Sequence, residues 1–132
     1  MKITINANDV GLAILRIGIS LLMLPHGYGK LNMLISGDEI KFPSIFGINA
    51  TICLAIAVIG EFVAPILILL GFRTRQAAIP AIIVMGVAAF IFHAGDAFAK
   101  REPSLMYFVC FLAIAFLGGG KYTLDNYLNR KY

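Results

Sequence analysis

Residues 48–72, INATICLAIAVIGEFVAPILILLGF, hold a single formal charge, Glu61, near the middle of an otherwise apolar run. A helix rises about 1.5 Å per residue, so about 20 apolar residues cross the hydrocarbon core of a bilayer. This run is long enough to span. A charged side chain at the bilayer centre costs about 2.5–3.5 kcal/mol on insertion scales, so Glu61 requires a partner or a polar cavity. What Glu61 faces therefore constrains the packing of everything else.

The remainder of the chain is consistent with one integral membrane domain over residues 1–132. Of the 132 residues, 60% are hydrophobic and 14% charged. A soluble domain has about 45–50% apolar and about 25% charged residues. No stretch is left over for a second, soluble domain. The net charge of +4 is too small to suggest a nucleic-acid partner. In a membrane protein, excess Lys and Arg records orientation. The start of the chain has some features of a signal peptide: Lys2 is basic, and Gly27-Tyr28-Gly29 forms a weak cleavage site. Asp9 and Arg16 interrupt that pattern, so the segment reads as an uncleaved first helix.

Four spans are predicted, over residues 10–29, 48–72, 76–95 and 104–120. Asn8 or Asp9 would cap the first. Gly71 would stop the second, with Arg73-Thr74-Arg75 beyond it, and Gly118-Gly119-Gly120 would stop the fourth. The connection over residues 30–47 contains Leu31, Ile40, Phe42, Ile45 and Phe46, too apolar for a solvated loop. It is expected to lie on the membrane surface or cap the bundle. The expected architecture is all-α, a membrane four-helix bundle. Lys2, Arg73, Arg75, Lys121, Arg130 and Lys131 fall on one side, and Lys30, Lys41, Lys100 and Arg101 on the other. The positive-inside bias then puts both termini in the cytoplasm.

Arg16 is the expected partner of Glu61. Counted from the ends of their spans, the two lie roughly 8 Å apart along the membrane normal, at 1.5 Å per residue. Ser20, Gly27 and Lys30 fall within about 40° of Arg16 on the helical wheel, which marks an inward face. On the second span Ala50, Ala57, Ala64 and Gly71 recur every seven residues, as small residues do where membrane helices approach closely. Pro65 cannot supply an N–H to the Glu61 carbonyl, which adds a second polar group at that level. An Arg16–Glu61 pair could lock two helices together or serve a ligand or proton. The sequence leaves both open.

His26 and His93 close the first and third spans at the same end, with Lys30 one turn beyond His26. With Tyr107, Phe108 and Phe111 they could line a slot for a quinone head group, which needs apolar walls and hydrogen-bond donors. Two solvated, interfacial histidines are the plainer reading. Cys53 and Cys110 form neither a disulfide framework nor a CxxC motif and read as small apolar side chains. No His or Cys pair has i,i+3 or i,i+4 spacing within one helix, so no metal site is expected. No haem-type CxxCH, GxGxxG or Walker sequence is present, so no covalently bound cofactor is expected.

The run LRIGISLLMLPHGYGKL, then GEFVAPILILLGFRTRQAA, then a His closing the third span, resembles the DoxX family of small four-helix bacterial membrane proteins. The matching positions are Arg16, His26-Gly27, Lys30, Glu61, Gly71 and Thr74-Arg75. The resemblance implies a multi-pass protein of the bacterial plasma (inner) membrane. The family is associated with thiosulfate:quinone oxidoreductase, oxidative-stress complexes and quinone resistance. It therefore implies a quinone-interacting subunit of a membrane redox complex, working with a redox partner protein. The alternative is a membrane scaffold or assembly factor without activity of its own. A small transporter ranks last, because four helices enclose little without a homodimer and no repeated half is visible.

Overall fold

The computed structural model describes residues 5–129. Five helices follow in order: α1 (Ala7–Ile35), α2 (Ala50–Leu70), α3 (Thr74–Phe92), α4 (Phe98–Leu117) and the short α5 (Leu124–Asn129). No strand occurs among the described residues. By length and composition α1, α2 and α3 can each cross a membrane. Helix α4 has 20 residues, but its first turns carry Lys100, Arg101 and Glu102. Lys2, Arg130 and Lys131, which enter the charge count, lie outside the described residues.

The helix ends follow local chemistry. Asn6, not Asn8 or Asp9, caps α1, its side chain accepting the Asn8 N–H at 2.8 Å. Asp9 instead accepts the Lys121 N–H at 3.0 Å, tying the start of α1 to the chain after α4. Asn49 caps α2 through the Thr51 N–H. Gly71 ends α2 in the left-handed region, φ 75°, which a Cβ disfavours. The predicted connection begins too early at residue 30, because α1 runs on through Pro25 and Lys30 to Ile35. Likewise α4 begins six residues before the predicted span, at Phe98.

Two helices contain a π turn. In α2 it covers Ile59–Val63, with the Ala64 N–H reaching back to the Ile59 carbonyl. In α3 it covers Ala88–Phe92, with the His93 N–H reaching Ala88. A π turn interrupts the ordinary i→i−4 ladder and often marks a functional site. In α3, Arg101 donates from Nε to the Ala89 carbonyl at 3.1 Å, so the charged start of α4 docks on this turn.

The core is narrow and built from small residues, with Ala64, Ala77, Ala78, Ala81 and Ala89 between Met23, Ile68, Phe111 and Ile114. Gly60 lies against Val84, and a Cβ there would overlap that side chain. Large apolar side chains such as Ile14, Leu22, Ile56, Ile83 and Phe116 point outward. In water such a surface would aggregate, whereas hydrocarbon tails solvate it.

Candidate functional site

Glu61 sits in the π turn of α2 and is 3% exposed. Its partner is Lys30 of α1. The ammonium donates to Oε1 at 2.6 Å and to Oε2 at 2.5 Å. The Lys30 side chain is 29% exposed and that of Glu61 only 5%, so the carboxylate lies behind the ammonium. The expected Arg16–Glu61 pair does not form. Arg16 is buried elsewhere, donating from Nη1 to the Gly119 carbonyl at 2.8 Å and from Nη2 to the Tyr122 carbonyl at 2.7 Å. Both carbonyls belong to the chain just beyond α4, near the negative end of that helix's dipole, where a guanidinium is favoured.

Helix register explains the exchange of partners. Gly27 packs so closely on α2 that a Cβ would overlap the Glu61 carbonyl oxygen. This contact makes Gly27 level with Glu61. Leu70 is nine residues beyond Glu61, so α2 ends about level with Gly18, at equal rise per residue. Arg16 is already past that end, whereas Lys30 is less than a turn above Gly27 and reaches Glu61. Counting both spans from a common membrane boundary misses this offset. A signal was nevertheless present, since Lys30 shares the inward face of Arg16 and is the next cation along it.

The pair borders a cavity of about 470 Å³. Met23, Ala57 and Met85 form its deep wall. Phe42, Pro43, Ile45, Phe46 and Ile48 of the connection between α1 and α2 cover it from outside. The apolar residues of this connection thus serve as part of the cavity wall. Ile56 and Ile83, each more than two-fifths exposed, line the cavity from α2 and α3. The cavity therefore opens on the outward, apolar surface between those two helices.

His26, His93 and Tyr107 also line this cavity, so all four candidate ligand residues, Lys30 included, meet there. His26 meets the Tyr107 ring edge-on, centroids 6.1 Å apart. The Tyr107 hydroxyl donates to the Leu22 carbonyl at 3.1 Å, near the break that Pro25 makes in the α1 ladder. His93 Nδ1 lies 2.7 Å from Asp96 Oδ2. An ionised carboxylate only accepts, so Nδ1 carries the hydrogen, and Nε2 is the nitrogen left to bind or release a second proton. That hydrogen bond, aided by the charges of His93 and Lys100, holds the Asp96 carboxyl below the usual range for Asp. Phe108 and Phe111 do not line the cavity. Phe111 is in the core, and Phe108 packs on Phe90 and Gly86. Cys53 lines the cavity, its thiol directed at the Ile48 and Ile45 carbonyls at 3.6 and 3.9 Å.

These features define a helical membrane protein with an apolar cavity bordered by a partly buried ion pair. The DoxX family pattern matches residues 11–94, and the chain belongs to that family. It is 31% identical over 130 residues to the inner membrane protein YqjF of Escherichia coli, covering 94% of this chain and 96% of that protein. It is 34% identical over 131 residues to an uncharacterized protein of Haemophilus influenzae, covering 91% of this chain and 92% of the relative. No solved structure matches.

Proposed function

We propose that the cavity binds the head group of a membrane-borne quinone, and that the chain serves as the quinone-interacting subunit of a redox complex in the bacterial inner membrane. In this reading α1 to α4 cross the bilayer, both termini are cytoplasmic, and a partner protein carries the electrons. The observation that carries the reading is the placement of the Lys30–Glu61 pair at an apolar cavity that opens on the outward surface of the bundle.

Three features fit such a ligand. An ammonium has three N–H donors, and Glu61 takes two, leaving one for a carbonyl oxygen. The pair is neutral as a unit, so it selects an uncharged head group over an anion. The opening between Ile56 and Ile83 admits a molecule already dissolved in lipid. A quinone supplies a two-electron, two-proton couple when bound. Within this chain, His93 Nε2 can take or deliver a proton at the cavity rim. Glu61 fixes the Lys30 ammonium, and Tyr107 steadies the His26 ring.

The test is quinone extraction from protein purified in mild detergent, followed by titration of the stripped protein with a short-chain quinone. Saturable one-to-one binding, weakened at least tenfold in Lys30→Met, is expected. A folded wild type that neither carries nor binds quinone would refute the reading and favour a scaffold role, in which the pair only joins helices.

A further inference from the structure

A second pocket lies at the opposite end of the bundle from Lys30, where α3 begins. It measures about 300 Å³ and is lined by Thr74, Arg75, Gln76, Gly119, Gly120 and Asn126, among others. Three observations there point to one chemistry. The first-turn N–H groups of α3 have no acceptors within the helix, and the helix dipole favours negative charge at this end. Thr74 is 4% exposed, and its Oγ1, directed across at Gly119, has no hydrogen-bond partner. Arg75, which lies over Gly118, is exposed and forms no ion pair among the described residues. A buried hydroxyl without a partner calls for one.

One carboxylate, Asp125, lines the pocket itself, and Asp9 lies close by; both are already engaged. Asp125 accepts the Arg73 N–H at 2.7 Å, and Asp9 accepts the Lys121 N–H. The Arg73 guanidinium lies over the Phe72 ring at 5.9 Å. Arg73, Arg75 and Lys121 thus outnumber Asp125 and Asp9 at this end. Because α3 is long and apolar enough to cross a membrane and begins at Thr74, a bilayer around it would put this pocket at the depth of lipid head groups.

We propose that this pocket binds the phosphate of an anionic phospholipid, held by the Arg75 guanidinium, the Thr74 hydroxyl and the first-turn N–H groups of α3. The site shares no residue with the large cavity and stands independently of the quinone reading. Guanidinium and helix N-terminus together form the usual donor set for a phosphate.

The test is native mass spectrometry and thermal melting of delipidated full-length protein. It is titrated with short-chain phosphatidylglycerol, with a diacylglycerol of the same chains, and with inorganic phosphate. Phosphatidylglycerol is expected to form a saturable single adduct and raise Tm, whereas the diacylglycerol does neither. Arg75→Gln should weaken the adduct roughly tenfold or more, the scale of one charge-assisted contact, and Arg75→Lys should retain most of it. Thr74→Val provides a second variant at the same site. Equal binding of diacylglycerol, or phosphatidylglycerol binding unchanged in both Arg75→Gln and Thr74→Val, would overturn the proposal. Inorganic phosphate binding more tightly than the lipid would overturn the lipid as the source of the phosphate.

Discussion

Replacing Lys30 by Met keeps the length of the side chain and removes its charge, so Glu61 loses both of its hydrogen bonds. The carboxylate is then stranded, with a side chain only 5% exposed. Breaking a buried pair in this way costs about 3–5 kcal/mol. For a chain of this size that corresponds to a fall in Tm of roughly 10 °C or more. Glu61→Gln should cost less, about 1–3 kcal/mol, because the Lys30 side chain is 29% exposed and reaches the cavity. Removing both charges leaves an unpaired amide but no stranded charge, so Lys30→Met with Glu61→Gln should be more stable than Lys30→Met alone. The assay is a double-mutant cycle by thermal melting in detergent, with Arg16→Met as a third arm. Additive effects of Lys30 and Glu61, or a coupling of Glu61 to Arg16 instead, would refute the assignment of partners.

Other outcomes follow from the same contacts. Gly27→Ala puts a methyl on the Glu61 carbonyl, and the overpacking should cost about 1–3 kcal/mol and lengthen the Lys30–Glu61 separation, measured by melting and by cross-linking of α1 to α2. Arg16→Met frees the Gly119 and Tyr122 carbonyls, so hydrogen exchange should rise around residues 118–123 while ligand binding in the cavity is retained. Because the Asp96 carboxyl is held below its ordinary range, its contribution to ordering residues 93–96 is full above the usual Asp pKa and is lost as pH falls through the lowered value. Amide exchange at Asp96, followed across acidic pH, should show that loss, and Asp96→Asn should abolish the dependence. In a Cys110→Ser background, Cys53 should react with a membrane-soluble maleimide and be protected by bound quinone, as read by mass shift.

Much of the fold is legible from residue pattern because bilayer thickness fixes helix length. Gly71 and the Gly118-Gly119-Gly120 run end helices where their chemistry suggests. Of the small residues that recur every seven positions, Ala57, Ala64 and Gly71 are buried and Ala50 only half-buried; Ala64 packs in the core, whereas Ala57 lines the cavity. The need of Glu61 for a cation was also readable. Which cation depends on how far α1 slides along α2, and that is set by the Gly27 contact, a fact of packing and not of span boundaries. The π turns were not readable either, beyond the hint that Pro65 cannot complete the ordinary ladder. Nor could pattern show that Phe108 and Phe111 turn away from the cavity while Tyr107 faces it. All three lie on α4 within five residues, and the choice follows from how α4 rotates against α3.

Photoaffinity labelling with a short-chain quinone carrying a photoreactive tail tests the central reading most directly. Label is expected on peptides containing Lys30, Phe46 or Tyr107, displaced by unlabelled quinone and lost in Lys30→Met. Label spread over outward-facing positions such as Ile14 and Phe116, undiminished by competitor, would contradict it.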